Sequence, residues 1–170
     1  MLTVEDGTIV AGADSYTTLE NARAIAANYG WALPDDNTVA EVALRNGAQY
    51  VDLQEECFSG SRISAEQSLS WPRKYATNRF GFDIASDSVP TQLAVAQVAA
   101  ASEYGAGTDV RATDDGKAVS HEEVVGAVVV EYFDNGKTCG TVAITKALDA
   151  LRPLMVECSN NGFSFRVGRS

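Results

Sequence analysis

The sequence predicts an α+β fold that is mainly helical, a small bundle of about four helices with a β-hairpin and an extended C-terminal tail. Three observations lead to this prediction. Apolar residues at helical spacing alternate with Gly- and Pro-containing breaks over the first 105 residues. The valine-rich segment 119–133 has the composition of a β-strand and is followed by a turn sequence. In the tail, residues 159–170, aromatic and polar residues alternate.

The first two helices are predicted from their caps and from apolar spacing. Asp14 and Ser15 supply an N-cap, and Gly30 ends the helix that follows them. A second helix is predicted from about Thr38 to Leu53, after a turn rich in Asp. We expect one face of this helix to pack on the core, and that face carries Val39, Val42, Ala43, Tyr50 and Leu53.

Three further helices are predicted along the chain. Ser64–Gln67 matches a capping box, so it should start a short helix that cannot continue through Pro72. The alanine-rich segment Pro90–Gly105 gives the clearest helix, and its small side chains favour a central place in the core. The last helix is predicted over Ala143–Val156, where Pro153 should kink or end it.

The strand signal in 119–133 is apolar on both faces, which predicts burial on both sides, between subunits. Residues 134–137 have a turn composition, and 138–142 are predicted as the return strand, so the hairpin spans about residues 119–142.

Length and composition predict one domain, residues 1–158, followed by an extension, residues 159–170. The chain has 170 residues, of which 45% are hydrophobic, enough for a single ordinary core. No apolar run approaches the roughly 20 residues that a membrane helix needs. The N-terminus lacks the basic and apolar segments of a secretory signal.

No constellation of residues predicts catalysis, a metal site or a cofactor, so we expect a protein that is not an enzyme. The single histidine, His121, lies in a polar segment, and Glu55 and Glu56 beside Cys57 disfavour a reactive thiolate. The three cysteines are too widely spaced for a disulfide framework or a zinc site, and we expect them to be free thiols. No phosphate-binding glycine motif is present.

Several stretches of the chain resemble a family of tailed-phage and prophage proteins, whose members are often labelled DnaT-like single-stranded-DNA-binding proteins. The same proteins are similar to head–tail connectors of tailed phages, also called adaptor or head-completion proteins. The resemblance covers nearly the whole chain and rests on the segments 1–8, 12–16, 64–73, 83–90, 119–132 and 147–154.

The resemblance to connectors implies a structural protein of the virion neck that is made in the cytoplasm of the host bacterium. Its copies would form a twelve-fold ring beneath the portal protein and dock the tail or a second neck protein. Double-stranded DNA would pass through the ring without specific binding, and no membrane would be involved. Because such connectors often finish soon after the segment 147–154, the extension 159–170 is a departure from the pattern.

Two functions therefore remain open, each with its own candidate residues. A ring subunit is expected to contact its neighbours, the portal or the tail through Val124, Val128, Val130, Leu154, Phe163 and Phe165. A single-stranded-DNA binder needs exposed aromatic rings in a basic groove, which the chain offers at Arg62, Trp71, Arg73 and Lys74, with Tyr75 and Arg79 nearby. For Trp71 the alternative is a structural anchor for an irregular loop. The net charge of −10 favours the ring, because an acidic wall repels DNA.

Overall fold

The computed structural model describes residues 1–107, 121–124, 128–131 and 144–156. By its contacts the chain divides into two compact units, one formed by Met1–Thr108 with Ile144–Ser170 and the other by Asp109–Ala143. The division at residue 158 that the sequence suggested stays a prediction.

The first unit is built around four helices: α1 (Leu19–Tyr29), α2 (Asn37–Asp52), α3 (Thr91–Gly105) and α4 (Thr145–Leu151). The helix α3 is central, since it packs against each of the other three. The core is alanine-rich, and small side chains let the helix backbones approach closely. A buried cluster joins α1, α2 and α3 through Ala22, Ala26, Ala43, Leu44, Val98 and Ala101.

One glycine fixes how closely α2 and α3 pack. A Cβ atom on Gly47 of α2 would lie 2.3 Å from the backbone oxygen of Gln97 in α3. That distance is far below a van der Waals contact, so any larger residue must push the two helices apart. The Gln97 side chain also ties α3 to its surroundings, because its amide nitrogen donates to the backbone oxygen of Leu44 and to Ser15 Oγ.

The caps explain where the first two helices begin and end. α1 starts after Thr18, whose Oγ1 accepts from the backbone N–H of Asn21, and not at the predicted Asp14–Ser15 cap. Asp14 instead accepts from the backbone N–H of Thr3 and so holds the N-terminal segment. Gly30 ends α1 in the left-handed conformation, as predicted.

The capping box predicted at Ser64–Gln67 forms only one of its two hydrogen bonds, and it starts no helix. Ser64 Oγ accepts from the backbone N–H of Glu66 instead of that of Gln67. Gln67 Oε1 accepts from the backbone N–H groups of Ile63 and Ser64, which closes a turn. The Gln67 amide nitrogen donates to the backbone oxygens of Leu69 and Pro72, so this side chain satisfies an irregular loop from inside.

Two short antiparallel sheets flank this loop. β1 (Ser61–Arg62) pairs with β2 (Arg73–Lys74), and β3 (Ala76–Thr77) pairs with β4 (Asp83–Ile84). A short 3₁₀ helix, Glu55–Cys57, leads from α2 into this region.

In the second unit, β5 (His121–Val124) pairs with β6 (Val128–Glu131) in an antiparallel hairpin. The single long strand predicted over 119–133 is therefore wrong, since His121 pairs with Glu131 and Val124 pairs with Val128 in two antiparallel strands. Apart from Gly126, residues 124–130 are all apolar, so the sequence gave no sign that the segment forms two strands. The predicted turn and return strand, residues 134–142, lie outside the described residues.

The mainly helical α+β class is confirmed. Pro153 follows the end of α4 at Leu151, as the sequence indicated. Among the residues that the structure describes, every helix is too short or too polar to cross a membrane.

Candidate interaction surfaces

The Trp-Pro-Arg segment, the most distinctive part of the sequence, lies inside the molecule. The exposed fraction of Trp71 is 1%, and its ring meets the edge of Phe58 at a centroid distance of 5.7 Å. Arg73 is also buried, although it carries a full charge. Both side chains therefore belong to the core, and the anchor interpretation of Trp71 fits the structure.

The guanidinium of Arg73 is occupied by acceptors of its own chain. Nε donates to the backbone oxygen of Ser59 at 2.9 Å, and Nη2 donates to that of Gly60 at 3.0 Å. Nη1 donates to Glu55 Oε1 at 2.9 Å and to the backbone oxygen of Ser70 at 3.2 Å. Arg73 thus joins three separate stretches of the chain. Because its guanidinium is buried and hydrogen-bonded within the chain, it is not available to bind a DNA phosphate.

Arg62 shares the same carboxylate. Its Nε lies 2.7 Å from Glu55 Oε1, and its Nη2 pairs with Glu55 Oε2, so the contact is bidentate. The Arg62 guanidinium is the main cause of a lowered pKa at Glu55. Of the four residues predicted to contact DNA, only Lys74 is exposed, because burial and ion pairing hold Trp71, Arg73 and Arg62 within the fold.

A second buried polar group stands at the end of α2. Tyr16 Oη donates to Asp52 Oδ1 at 2.5 Å, and both the hydroxyl and the backbone N–H of Ser70 also donate to this oxygen. Burial raises the pKa of Asp52 and raises that of Tyr16 well above its usual value. The three side chains satisfy one another's hydrogen-bonding groups. Because Asp52 ends α2 and Ser70 precedes Trp71, this group attaches the Trp71 loop to α2.

The predicted subunit contacts differ from one another in where they lie. Leu154 is buried in the core of the first unit, so its side chain is not available for a contact with another subunit. Val124 is paired with Val128 in the hairpin, and Val130 is paired with Glu122. Phe163 and Phe165 lie outside the described residues, so their role stays a prediction.

Two chemical expectations concern the cysteines and metal ligands. Cys57 forms a disulfide in this structure, which contradicts the expectation of a free thiol at this position. Sequence spacing cannot reveal such a bond, since it depends on which chain segments the fold brings together. Within the described part of the chain, no three His, Cys, Asp or Glu residues gather as metal ligands would.

One short stretch of chain, 74–82, carries exposed aromatic rings and two exposed cations, and we call these side chains the aromatic surface: Lys74, Tyr75, Arg79, Phe80 and Phe82. Tyr75 is 87% exposed, and Phe80 and Phe82 are each 70% exposed. Sequence reasoning overlooked the two phenylalanines, although Phe80 and Phe82 alternate with Gly81 and Asp83 next to a strand.

The turn that carries Phe80 and Phe82 is well defined by hydrogen bonds. Asn78 Oδ1 accepts from the backbone N–H groups of Phe80 and Phe82, both at 3.0 Å. The backbone N–H of Arg79 donates to the backbone oxygen of Pro153 at 2.9 Å, which ties the turn to the segment after α4. The rings are therefore presented by a closed turn rather than by a loose loop.

Tyr75 adopts a backbone conformation that costs free energy. Its φ is +57°, in the left-handed region that favours Gly or Asn. The neighbouring Gly60 packs against this peptide, since a Cβ there would lie 2.3 Å from the backbone oxygen of Lys74. A side chain this exposed contributes little burial to offset a strain of about 1 kcal/mol or more.

The second surface lies on α2, which has two apolar faces. Val39, Val42 and Leu53 were expected in the core with Ala43 and Tyr50, but only the latter two are buried. The other three are 51–53% exposed. The helical periodicity gave a wrong prediction because the buried face and the exposed apolar face of α2 are adjacent. Together they form one apolar arc around the helix.

These exposed residues form a continuous stripe with two uncharged polar ones, and we call it the α2 stripe: Val39, Val42, Asn46, Gln49 and Leu53. Their positions fall within about 80° around the helix axis. The stripe itself carries no charge, whereas the outer face of a solvated helix is normally charged. It is an uncharged, largely apolar surface that the other described residues leave exposed.

Most of the described cations already contact acceptors of the same chain, and a few do not. The whole chain has 23 acidic and 13 basic residues. Most described cations contact oxygen acceptors of the same chain, namely Arg23, Arg45, Arg62, Arg73, Lys146 and Arg152. Among the described residues, Lys74 and Arg79 are the cations whose side chains have no such acceptor, and both belong to the aromatic surface.

A groove of about 480 Å³ lies between the end of α1, α3 and α4. Tyr29 and Trp31 stack along it at 4.6 Å, and Lys146 Nζ lies 5.4 Å from the Trp31 ring. That ammonium is paired with Glu103 and with Ser102 Oγ, so the cation is already satisfied. The groove therefore offers no uncommitted cation among its described residues that would select a ligand.

The chain matches the model of a known protein family. That family is described as "Putative DnaT-like ssDNA binding protein", and the match covers residues 1–170, the whole chain. No curated protein and no solved structure matches it.

Proposed function

The chain belongs to the DnaT-like ssDNA-binding protein family, and from this premise we propose that it is a non-enzymatic structural subunit of a tailed-phage neck. Copies of the chain form a ring that joins the portal to the tail and lets double-stranded DNA pass. The family description names a ligand. The proposal of a neck subunit follows the resemblance to head–tail connectors, and the surfaces of the chain support a subunit that assembles.

The observation that carries the proposal is the α2 stripe. Monomeric proteins rarely expose contiguous apolar patches larger than a few hundred Å², and such patches mark sites of association. Here one helix packs on the core through Ala43 and Tyr50 and leaves Val39, Val42 and Leu53 uncovered. A subunit that is complete only within an assembly accounts for a helix with two apolar faces.

The charge distribution supports passage of DNA rather than retention. Arg62 and Arg73, the cations of the distinctive segment, are held by Glu55. The net charge is −10, so the chain as a whole repels a polyanion. DNA can slide along a channel wall of this kind. The wall has few free cations to neutralise phosphates, so little affinity is gained from the release of counterions.

The test is co-assembly with the portal protein of the same phage. The two purified proteins are mixed, and the mass of the complex is measured by native mass spectrometry. We expect one ring of this chain per portal, and Val42→Glu in the α2 stripe should abolish it. Ala24→Glu, at an exposed position of α1 outside the stripe, is the matched control. A portal that never gains the chain, at any concentration, contradicts the proposal.

A second candidate function is single-stranded-DNA binding, and a specific observation favours it. The aromatic surface combines three exposed rings with the uncommitted cations Lys74 and Arg79. Stacking of bases on such rings is worth about 1–3 kcal/mol per base. Fluorescence anisotropy with a labelled oligothymidine tests it, since tight binding that Phe80→Ala and Phe82→Ala abolish would favour this function over the ring.

A further inference from the structure

We propose that Cys57 forms its disulfide with Cys158, and that this bond is a redox-sensitive latch that fixes the start of the extension 159–170 to the first unit. Cys57 is disulfide-bonded in this structure. The chain has three cysteines, so the partner within the chain is Cys139 or Cys158. The choice of partner rests on the fold alone, whereas the time at which the bond closes rests on the proposed function.

The described chain leads Cys158 to Cys57. Phe58 and Met155 form an antiparallel bridge. The backbone N–H of Val156 donates to the backbone oxygen of Cys57 at 3.0 Å, so these two residues lie opposite each other. Cys158 is two positions further along the sequence, which keeps its Cα atom within about 7.6 Å of that of Val156. Since a disulfide joins Cα atoms about 4.4–6.8 Å apart, the bond can form without a change in the described residues.

Cys139 has no comparable lead to Cys57 among the described residues. It belongs to the second unit, Asp109–Ala143, whereas Cys57 and the segment Ile144–Ser170 belong to the first. The first described residue after Cys139 is Ile144, whose backbone N–H donates to Tyr50 Oη on α2. A bond to Cys158 therefore closes within one compact unit and continues a contact that the backbone already makes.

Cys57 stands on a well-connected part of the first unit. It ends the 3₁₀ helix that follows α2, and its exposed fraction is only 5%. Its neighbour Phe58 packs against the ring of Trp71, and Glu55 is paired with the buried Arg73. A disulfide at this point attaches the chain after α4 to the Trp71 loop, so it fixes where the extension leaves the first unit.

The segment after α4 has few other attachments in the described structure. The backbone oxygen of Pro153 accepts from Arg79, and Leu154 is buried. Beside them the packing is incomplete, because a cavity of about 450 Å³ is lined by Arg79, Arg152, Met155 and Val156. Opening of the disulfide therefore leaves this segment with two backbone hydrogen bonds and one buried side chain, and the segment can loosen.

The latch closes by a two-electron oxidation that thiol–disulfide exchange supplies. One cysteine thiolate attacks an external low-molecular-weight disulfide, such as glutathione disulfide, and forms a mixed disulfide as one external thiol leaves. The second cysteine thiolate then displaces the other external thiol and completes the bond. Each cysteine gives up its proton, and the external disulfide takes up two protons and two electrons as it becomes two thiols.

The redox compartment sets the time at which the bond closes. Glutathione and thioredoxin keep thiols reduced in the cytoplasm, whereas disulfides persist outside the cell. The neck subunit proposed above is made in the first environment and acts in the second. The latch is therefore open while the subunit is made and closed in the released virion.

Peptide mapping of the full chain tests the pairing, because trypsin places each cysteine in a different peptide. The chain is treated with glutathione disulfide, its remaining thiols are blocked with N-ethylmaleimide in denaturant, and it is digested without reductant. Cys57 lies in peptide 46–62, Cys139 in 138–146 and Cys158 in 147–166. We expect 46–62 linked to 147–166, with 138–146 blocked. A link from 46–62 to 138–146, or three blocked cysteines, overturns the pairing.

Cys158→Ser tests whether the bond acts as a latch, and Cys139→Ser is the matched control. In oxidised protein Cys158→Ser should lower the thermal midpoint by about 4–16 °C, the usual effect of a lost disulfide in a chain of this size. Amide hydrogen exchange at Val156 should become at least tenfold faster. Dithiothreitol should have both effects on the wild type and on the control. A Cys158→Ser variant that matches the control in both measurements overturns the latch.

Blocking of thiols in intact infected cells, and separately in released virions, tests the timing. We expect Cys57 and Cys158 to be blocked in cells and linked in virions. A pair that is already linked inside the cell overturns the redox switch. A chain that is absent from virions overturns the proposed function, whereas the mapping of the purified chain still decides the pairing, so the two failures are distinguishable.

Discussion

Replacing Arg73 tests whether the most distinctive segment of the chain builds the fold or contacts DNA. In Arg73→Ala the backbone oxygens of Ser59, Gly60 and Ser70 lose their donor. Glu55 loses one of its two arginine partners and keeps Arg62. The substitution therefore removes the donor from one buried and two partly buried acceptors, without leaving an unpaired carboxylate.

The expected loss follows from those contacts. A hydrogen bond from a charged donor contributes about 1.5–3 kcal/mol, and breaking a buried ion pair costs about 3–5 kcal/mol. Because Arg62 still neutralises Glu55, we expect the lower end, about 3 kcal/mol. For a chain of this size that corresponds to a fall of about 6–12 °C in the thermal midpoint.

Lys74→Ala is the matched control, since Lys74 is the next residue of β2 and its side chain is exposed. It should change the free energy of unfolding by less than about 0.5 kcal/mol. Both variants are followed by circular dichroism during heating and in urea. Equal midpoints for the two variants would refute the structural role of Arg73 and would return it to the DNA-contacting residues.

Three further predictions concern packing, pH and the tail. Gly47→Ala should lower the free energy of unfolding by about 1–3 kcal/mol in urea, because the clash with Gln97 outweighs the better helix propensity of Ala; a gain in stability would contradict this. Burial raises the pKa of Asp52 in the fold, so its contribution to stability is lost as pH rises from the unfolded to the folded pKa, and Asp52→Asn should remove that dependence in urea titrations across pH. Deleting residues 159–170 should leave helical circular dichroism intact but give heads that leak DNA or lack tails, and normal virions would refute this role.

Local sequence signals predicted the helices best. Gly30 and the turn before α2 were identified because caps act over a few residues, whatever the rest of the chain does. Pro153 likewise marked the end of α4. The capping box at Ser64–Gln67 made one of its two hydrogen bonds but no helix, because the Gln67 side chain also donates to backbone oxygens of the loop that follows.

The candidate site was harder to predict, because exposure is a tertiary property. The sequence shows that Trp71 and Arg73 stand beside Lys74, but only the fold separates two buried side chains from an exposed one. The same limit applies to α2, where Val42 and Ala43 are neighbours in sequence yet only Ala43 is covered. A pattern of apolar residues reports that a face is apolar, and not what covers it.

Electron cryomicroscopy of the chain bound to its portal protein tests the central claim most directly. We expect a closed twelve-fold ring beneath the portal, in which α2 of each copy contacts a neighbouring chain close to Val42. A portal without a ring, together with tight binding of the free chain to single-stranded DNA, would contradict it.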